Sequence, residues 1–134
     1  MKIHIDHAEP LPIVRQIVDQ MRVHLVNGAL KPGQDLIAVR RVAMELRVHF
    51  NTVAEAYRQL AEEGWLELRH GRLARVKERT AGVPLDSDWR GFRARMRALV
   101  AEMRSRGMAM EPLAADLRIL ADELSLAATD GERK

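Results

Sequence analysis

A mostly α-helical fold carrying one small β-wing is predicted by three observations in this 134-residue sequence. Apolar residues recur at helical spacing in five separate stretches. One short region, residues 65–77, instead alternates apolar and polar side chains around a glycine. The pattern also changes after residue 79, from short helical faces to two longer heptad stripes. At 15.2 kDa there is room for one ordinary domain, or a small domain with an accessory element, but not for a doubly wound dinucleotide fold with a substrate domain or for a TIM barrel.

Residues 1–11 are short and mixed; Ile3 and Ile5 alternate with polar residues, which predicts a brief edge strand. Pro12 suits the first turn of a helix, and Val14, Ile17, Val18, Met21 and Leu25 mark one helical face that Asn27-Gly28 stops. Lys31-Pro32-Gly33-Gln34 reads as a turn. A second helix is expected from about Ala38 to Leu46, with Val39, Val42, Ala43 and Leu46 inward. A loop at Arg47-Val48-His49 leads to a third, about Asn51 to Glu63, with Val53, Ala56, Tyr57 and Leu60 inward and Gly64 at its end. Strands follow at 65–69 and 73–77, joined tightly through His70-Gly71-Arg72. Three helices and then a basic hairpin make a winged helix-turn-helix over residues 1–79.

Residues 80–86 read as a linker. Beyond it, Trp89, Phe92, Met96, Leu99 and Met103 are spaced 3, 4, 3, 4, and Leu113, Leu117, Leu120, Leu124 and Ala127 are spaced 4, 3, 4, 3. Both are heptad stripes of helices that pack side by side. Residues 85–107 hold six Arg against three acids, and residues 108–134 hold three basic residues against six acids. A basic and an acidic helix predict an antiparallel hairpin over 87–130. It is too small to close a core alone, so a second copy completes a four-helix homodimer, or the hairpin folds onto the winged helix.

Composition narrows the function classes. Hydrophobic residues at 47% and charged residues at 31% describe a folded chain, and aromatics at 4% leave the core to aliphatic side chains. The absence of Cys excludes disulfides, thiolate zinc sites and cysteine nucleophiles. No apolar run is long enough for a membrane, and Met1–Asp6 lacks an apolar signal core, so a cytoplasmic protein is expected. Five histidines are scattered without zinc-site spacing, and no nucleophile elbow, P-loop or dinucleotide fingerprint occurs. No metal, cofactor or enzymatic activity is expected. Net charge is +3, and between positions 69 and 79 five Lys/Arg and His70 face one acid, Glu78. That strip is either a polyanion-binding surface or a solvated charged edge.

The segments Glu9–Ile17, Asn27–Leu36, Val39–Ala43, Asn51–Val53, Ala56–Leu60, Glu63–Leu66 and His70–Arg72 resemble, in order, the GntR family of bacterial transcription regulators. The short two-helix tail is similar to the YtrA-like subfamily, whose members dimerise through it; no larger effector domain fits here, and any effector is unknown. The resemblance implies a DNA-binding regulator, expected to repress, acting as a homodimer on a pseudo-palindromic operator. It departs where the family usually has Pro-Ser before the second helix, for here stand Ile37 and Ala38. A missing serine cap costs about 1 kcal/mol. Where the family usually shows Ser-Arg before Asn51-Thr52, this chain has His49 and Phe50, and the further Arg after Thr-Val is replaced by Ala54.

The DNA-binding candidates are Arg40, His49, Phe50, Asn51, Thr52, Arg58, His70, Gly71 and Arg72. Arg40 matches the family's DNA-touching arginine, or forms a surface ion pair. His49 touches phosphate or caps a helix; Asn51 and Thr52 face the groove, or Asn51 is the cap. Phe50 meets a thymine methyl or is a tolerated surface residue. Arg58 reaches a phosphate, and Arg72 enters the minor groove beside Gly71 and His70. The dimer candidates are Trp89, Phe92, Met96, Leu99, Met103, Leu113, Leu117, Leu120 and Leu124; a ligand cleft lined by Trp89 and the Met residues is the rival for that stripe. The rival for the whole chain is a winged-helix protein-interaction module, motivated by Ile37, Ala38, Phe50, Ala54 and Leu73.

Overall fold

Pro12 starts α1 (Ile13–Val26) in the computed structural model, which describes residues 1–78 and 85–132, with side chains to residue 126. The proline ring fixes a helix-compatible φ, and its missing N–H would have had no partner in the first turn. Ile17, Val18, Met21 and Leu25 are buried along one face, as their spacing predicts. α2 (Val39–Leu46) and α3 (Phe50–Glu62) each begin within one residue of the expected start. Both α1 and α2 pack against α3, which carries Val53, Ala56, Tyr57 and Leu60 into the centre. Leu30 and Leu36 from the segment between α1 and α2, and Leu66 and Val76 from the two strands of the wing, close the core.

The expected edge strand at Ile3 and Ile5 does not form. The segment is extended, but its backbone bonds to side chains of α1 rather than to another strand. His24 Nε2 meets Lys2 O at 2.9 Å, the Gln20 amide pairs both ways with His4 (2.8 and 2.7 Å), and the Gln16 amide pairs both ways with Asp6 (2.9 and 3.0 Å). Two extended residues advance about 6.8 Å and four helical residues about 6 Å, so alternate strap residues meet successive helix turns. Ile3 and Ile5 rest partly buried against the core.

The hairpin is shorter than expected. β1 (Leu66–Glu67) pairs antiparallel with β2 (Arg75–Val76), Leu66 opposite Val76 and Glu67 opposite Arg75. The sequence missed a third partner. Beyond the Lys31–Gln34 turn, the chain lies along the other side of β2, with Val76 N–H to Gln34 O at 2.9 Å and Leu36 N–H to Ala74 O at 2.8 Å. This seam ties the wing to the chain entering α2.

Residues 81–134 form a second unit. Arg79 and most of the expected linker, 79–84, lie outside the described residues. α4 (Asp86–Ser105) starts with Asp86 and Asp88 in its first turn, and Asp88 Oδ2 accepts the Leu85 N–H at 3.0 Å. Acidic residues there suit the positive end of the helix. α5 (Met110–Glu132) follows a turn at Gly107. The two helices are therefore as expected, but their stripes do not close on each other. Met103 and Leu113, beside the turn, are half-buried, whereas Trp89, Phe92, Met96, Leu99, Leu117, Leu120 and Leu124 are all exposed. α4 and α5 are not among the helix pairs that pack closely, so the side-by-side packing expected within one chain is not seen among the described residues.

Candidate nucleic-acid interface

The helix-turn-helix corner is built by two helix ends. α2 closes with Val48 N–H on Ala43 O (3.1 Å) and Arg47 N–H on Met44 O (3.3 Å), which places Arg47 at φ 56°. It is the sole non-glycine residue with positive φ among the described residues. α3 ends in the same bond pattern, but with Gly64 at the left-handed position. His49 is the N-cap of α3: its Nδ1 accepts the Asn51 N–H at 3.0 Å. This settles the capping alternative against Asn51, which lies exposed in the first turn. Ala38 gives α2 no side-chain cap, as the departure from Pro-Ser implies.

Phe50 opens α3 and is 43% exposed, with the Arg40 guanidinium carbon 5.6 Å from its ring centroid. Both line each of three adjoining hollows. The first, about 470 Å³, runs between the helices and the wing, with Ile37, Ala54, Leu68 and Leu73 as its apolar surface and Arg58, Arg69 and Arg72 beside them. The second adds Met44 and Arg47, and the third adds Asp35, His70 and Gly71. Below the first lies Tyr57, buried as its place on the apolar face predicts; its hydroxyl donates to Ile37 O at 2.7 Å, and burial pushes its pKa up to about 12.

The cations around this surface fall into two groups. Arg69 and Arg75 share Asp35 at 2.8 and 3.4 Å, and Arg69 also donates twice to Leu73 O, at 3.1 and 2.8 Å. Arg69 thus clamps the wing and is not a free cation of the basic strip. Arg58 pairs with Glu55 at 3.1 Å. Arg40, Arg47 and Arg72 have no carboxylate partner among the described residues. At the wing tip, Gly71 takes φ 67° and Arg72 N–H closes on Arg69 O at 3.2 Å.

The structure therefore brings six expected residues, Arg40, Phe50, Arg58, His70, Gly71 and Arg72, to one continuous surface. His49, Asn51 and Thr52 stand beside it on the first turn of α3 and line none of its hollows. Arg47, Met44 and Leu68 were missed. A left-handed arginine leaves no mark in a sequence, and Leu68 falls in the alternating run that predicts a strand over 65–69. Among the described residues, no group of three His, Asp or Glu is placed to hold a metal ion.

The family model for bacterial regulatory proteins of the gntR family matches residues 9–76. The chain belongs to the GntR family. The match covers the three helices and both wing strands, so the surface around Arg40 and Phe50 lies in the GntR helix-turn-helix domain. Transcription regulators of this kind are not an enzyme class. The chain is similar to the HTH-type transcriptional repressor YtrA of Bacillus subtilis (strain 168), with 30% identity over 111 residues, 83% of this chain and 85% of that protein. It is 27% identical over 129 residues to the HTH-type transcriptional repressor NagR of the same organism, spanning 96% of this chain and half of NagR. Among solved structures, YtrA from Sulfolobus acidocaldarius, a GntR-family transcription factor, superposes with a TM-score of 0.54 at 28% identity, covering 93% of this chain and 99% of the other. The transcriptional antiterminator from Listeria monocytogenes EGD-e shares the fold, with a TM-score of 0.70 at 21% identity over 92% and 93% of the two chains. The GntR match lies wholly within the first unit, and the YtrA likenesses extend the resemblance into the second. No described helix is long and apolar enough to cross a membrane.

Proposed function

We propose that this GntR-family regulator is a cytoplasmic repressor that binds a pseudo-palindromic operator as a homodimer. The observation that carries this reading is the set of cations without carboxylate partners, Arg40, Arg47 and Arg72, around the exposed start of α3 and the wing tip. A cation paired within the protein must give up that partner to meet a phosphate; these three do not. Phosphate contacts from the wing and helix ends set register, while the start of α3 meets base edges. Exposed stripes on α4 and α5, one helix basic and one acidic, support assembly of two chains into a four-helix arrangement.

Protection mapping on the DNA flanking its own gene tests the reading. A protected, two-fold symmetric site is expected, with affinity falling steeply as salt rises. The second reading, a winged helix that docks protein instead, draws on the apolar surface of Ile37, Ala54, Leu68 and Leu73. It predicts no protected site and a shallow salt dependence.

A further inference from the structure

We propose that Arg40 and Phe50 act as one reading unit spanning α2 and α3, which recognises a thymine close to a guanine in the major groove. The inference rests on the DNA-binding reading above and assigns the specificity of that surface. Six other arginines of this domain, Arg15, Arg22, Arg41, Arg58, Arg69 and Arg75, have donors engaged by carboxylates. Arg40 is held differently. The ring of Phe50 attracts its guanidinium, 5.6 Å from the centroid, without accepting from any N–H. All five donors of the fork therefore remain free for the O6 and N7 acceptors of guanine.

Phe50 contributes in its own right. It is the first residue of α3 and half-exposed, on a backbone fixed by the His49 cap. A benzyl group offers no hydrogen bond, and the one apolar feature of the major-groove floor is the thymine C5 methyl. The 5.6 Å separation lies between one and two base steps of about 3.4 Å, so the two groups address positions one or two apart. In isolation, Arg40 would lose its platform and Phe50 would have no polar neighbour to fix its register.

Sites selected from random DNA by the full-length protein give the first readout. A thymine within two positions of a guanine is expected in each half-site. Affinities for the selected site are then measured for wild type, Arg40→Ala, Phe50→Ala and the double variant. Each single change is expected to weaken binding about tenfold, and the double change to cost little more than one of them. Replacing the thymine by uracil removes only the methyl; it is expected to weaken wild type about fourfold and leave Phe50→Ala unaffected. Phe50→Leu should keep the response to uracil while losing guanine preference. If wild type selects no sequence, the DNA-binding reading itself fails. If it selects one, but the two substitutions multiply independently and uracil is tolerated, the paired reading alone is overturned.

Discussion

Tyr57 links the core to the proposed interface through one hydrogen bond. Its hydroxyl donates to Ile37 O at the entrance to α2, three residues before Arg40. Burial favours the neutral phenol and pushes its pKa from 10.0 to about 12. The folded state thus holds this proton more tightly than the unfolded chain. The resulting stability is complete below pH 10 and is lost as pH rises through 12, up to roughly 2–3 kcal/mol. Because this is the chain's one tyrosine, its ionisation can be followed by absorbance. Tyr57→Phe is expected to cost about 1 kcal/mol near neutrality and to flatten the alkaline limb of the stability curve. An unchanged limb in denaturant titrations would show that other groups set it. His49→Ala removes the α3 cap and is expected to cost about 1 kcal/mol in the same assay, with His49→Asn restoring most of it.

At the scale of elements, the wing depends on a carboxylate outside it. Asp35 lies in the segment beside β2 and holds both Arg69 and Arg75. Asp35→Ala should cost about 1 kcal/mol at most in global stability, since these groups are partly solvated. Its larger effect is expected in faster hydrogen exchange at the Arg72 amide and weaker DNA binding. The strap is held more firmly. Gln16 is almost fully buried and its amide meets Asp6 N, Asp6 O and Leu11 O. Gln16→Leu should therefore release residues 1–11 to proteolysis while Ile17 and Val18 keep α1 in the core. Protection of that segment from protease in the variant would contradict this.

For the whole molecule, the exposed stripes decide the quaternary prediction. Met96→Glu with Leu120→Glu puts charge in both stripes and leaves residues 1–78 untouched. Sedimentation should then show a monomer that binds DNA weakly; a dimer of unchanged strength would place the interface elsewhere. These stripes were legible because heptad spacing is a local property. Their partner was not, since spacing does not record which surface covers a stripe. The core faces of α1 to α3 were legible for the same local reason. The strap reads as a strand in the sequence because Gln16 and Gln20 supply from a helix the bonds that alternation assigns to a neighbouring strand. Arg69 looked like every other cation between 69 and 79; its partner, 34 positions away, sets it apart. Phe50 and Arg40 were each legible as candidates through family resemblance, but their stacking across two helices was not.

The left-handed turn at Arg47 also bears on how this protein can be improved. A search for heat-resistant variants should find residue 47 early. Glycine already stands at the same place in the closing turns of α3 and α4, at Gly64 and Gly107. Arg47→Gly removes the crowding of a β-carbon at φ 56°, a gain of up to about 1 kcal/mol. It also deletes one of the three cations at the proposed interface without carboxylate partners among the described residues. The hardier variant should bind operator less well, with a salt slope shallower by about one unit. Thermal robustness and occupancy of the regulated promoter would then be traded against each other at a single codon.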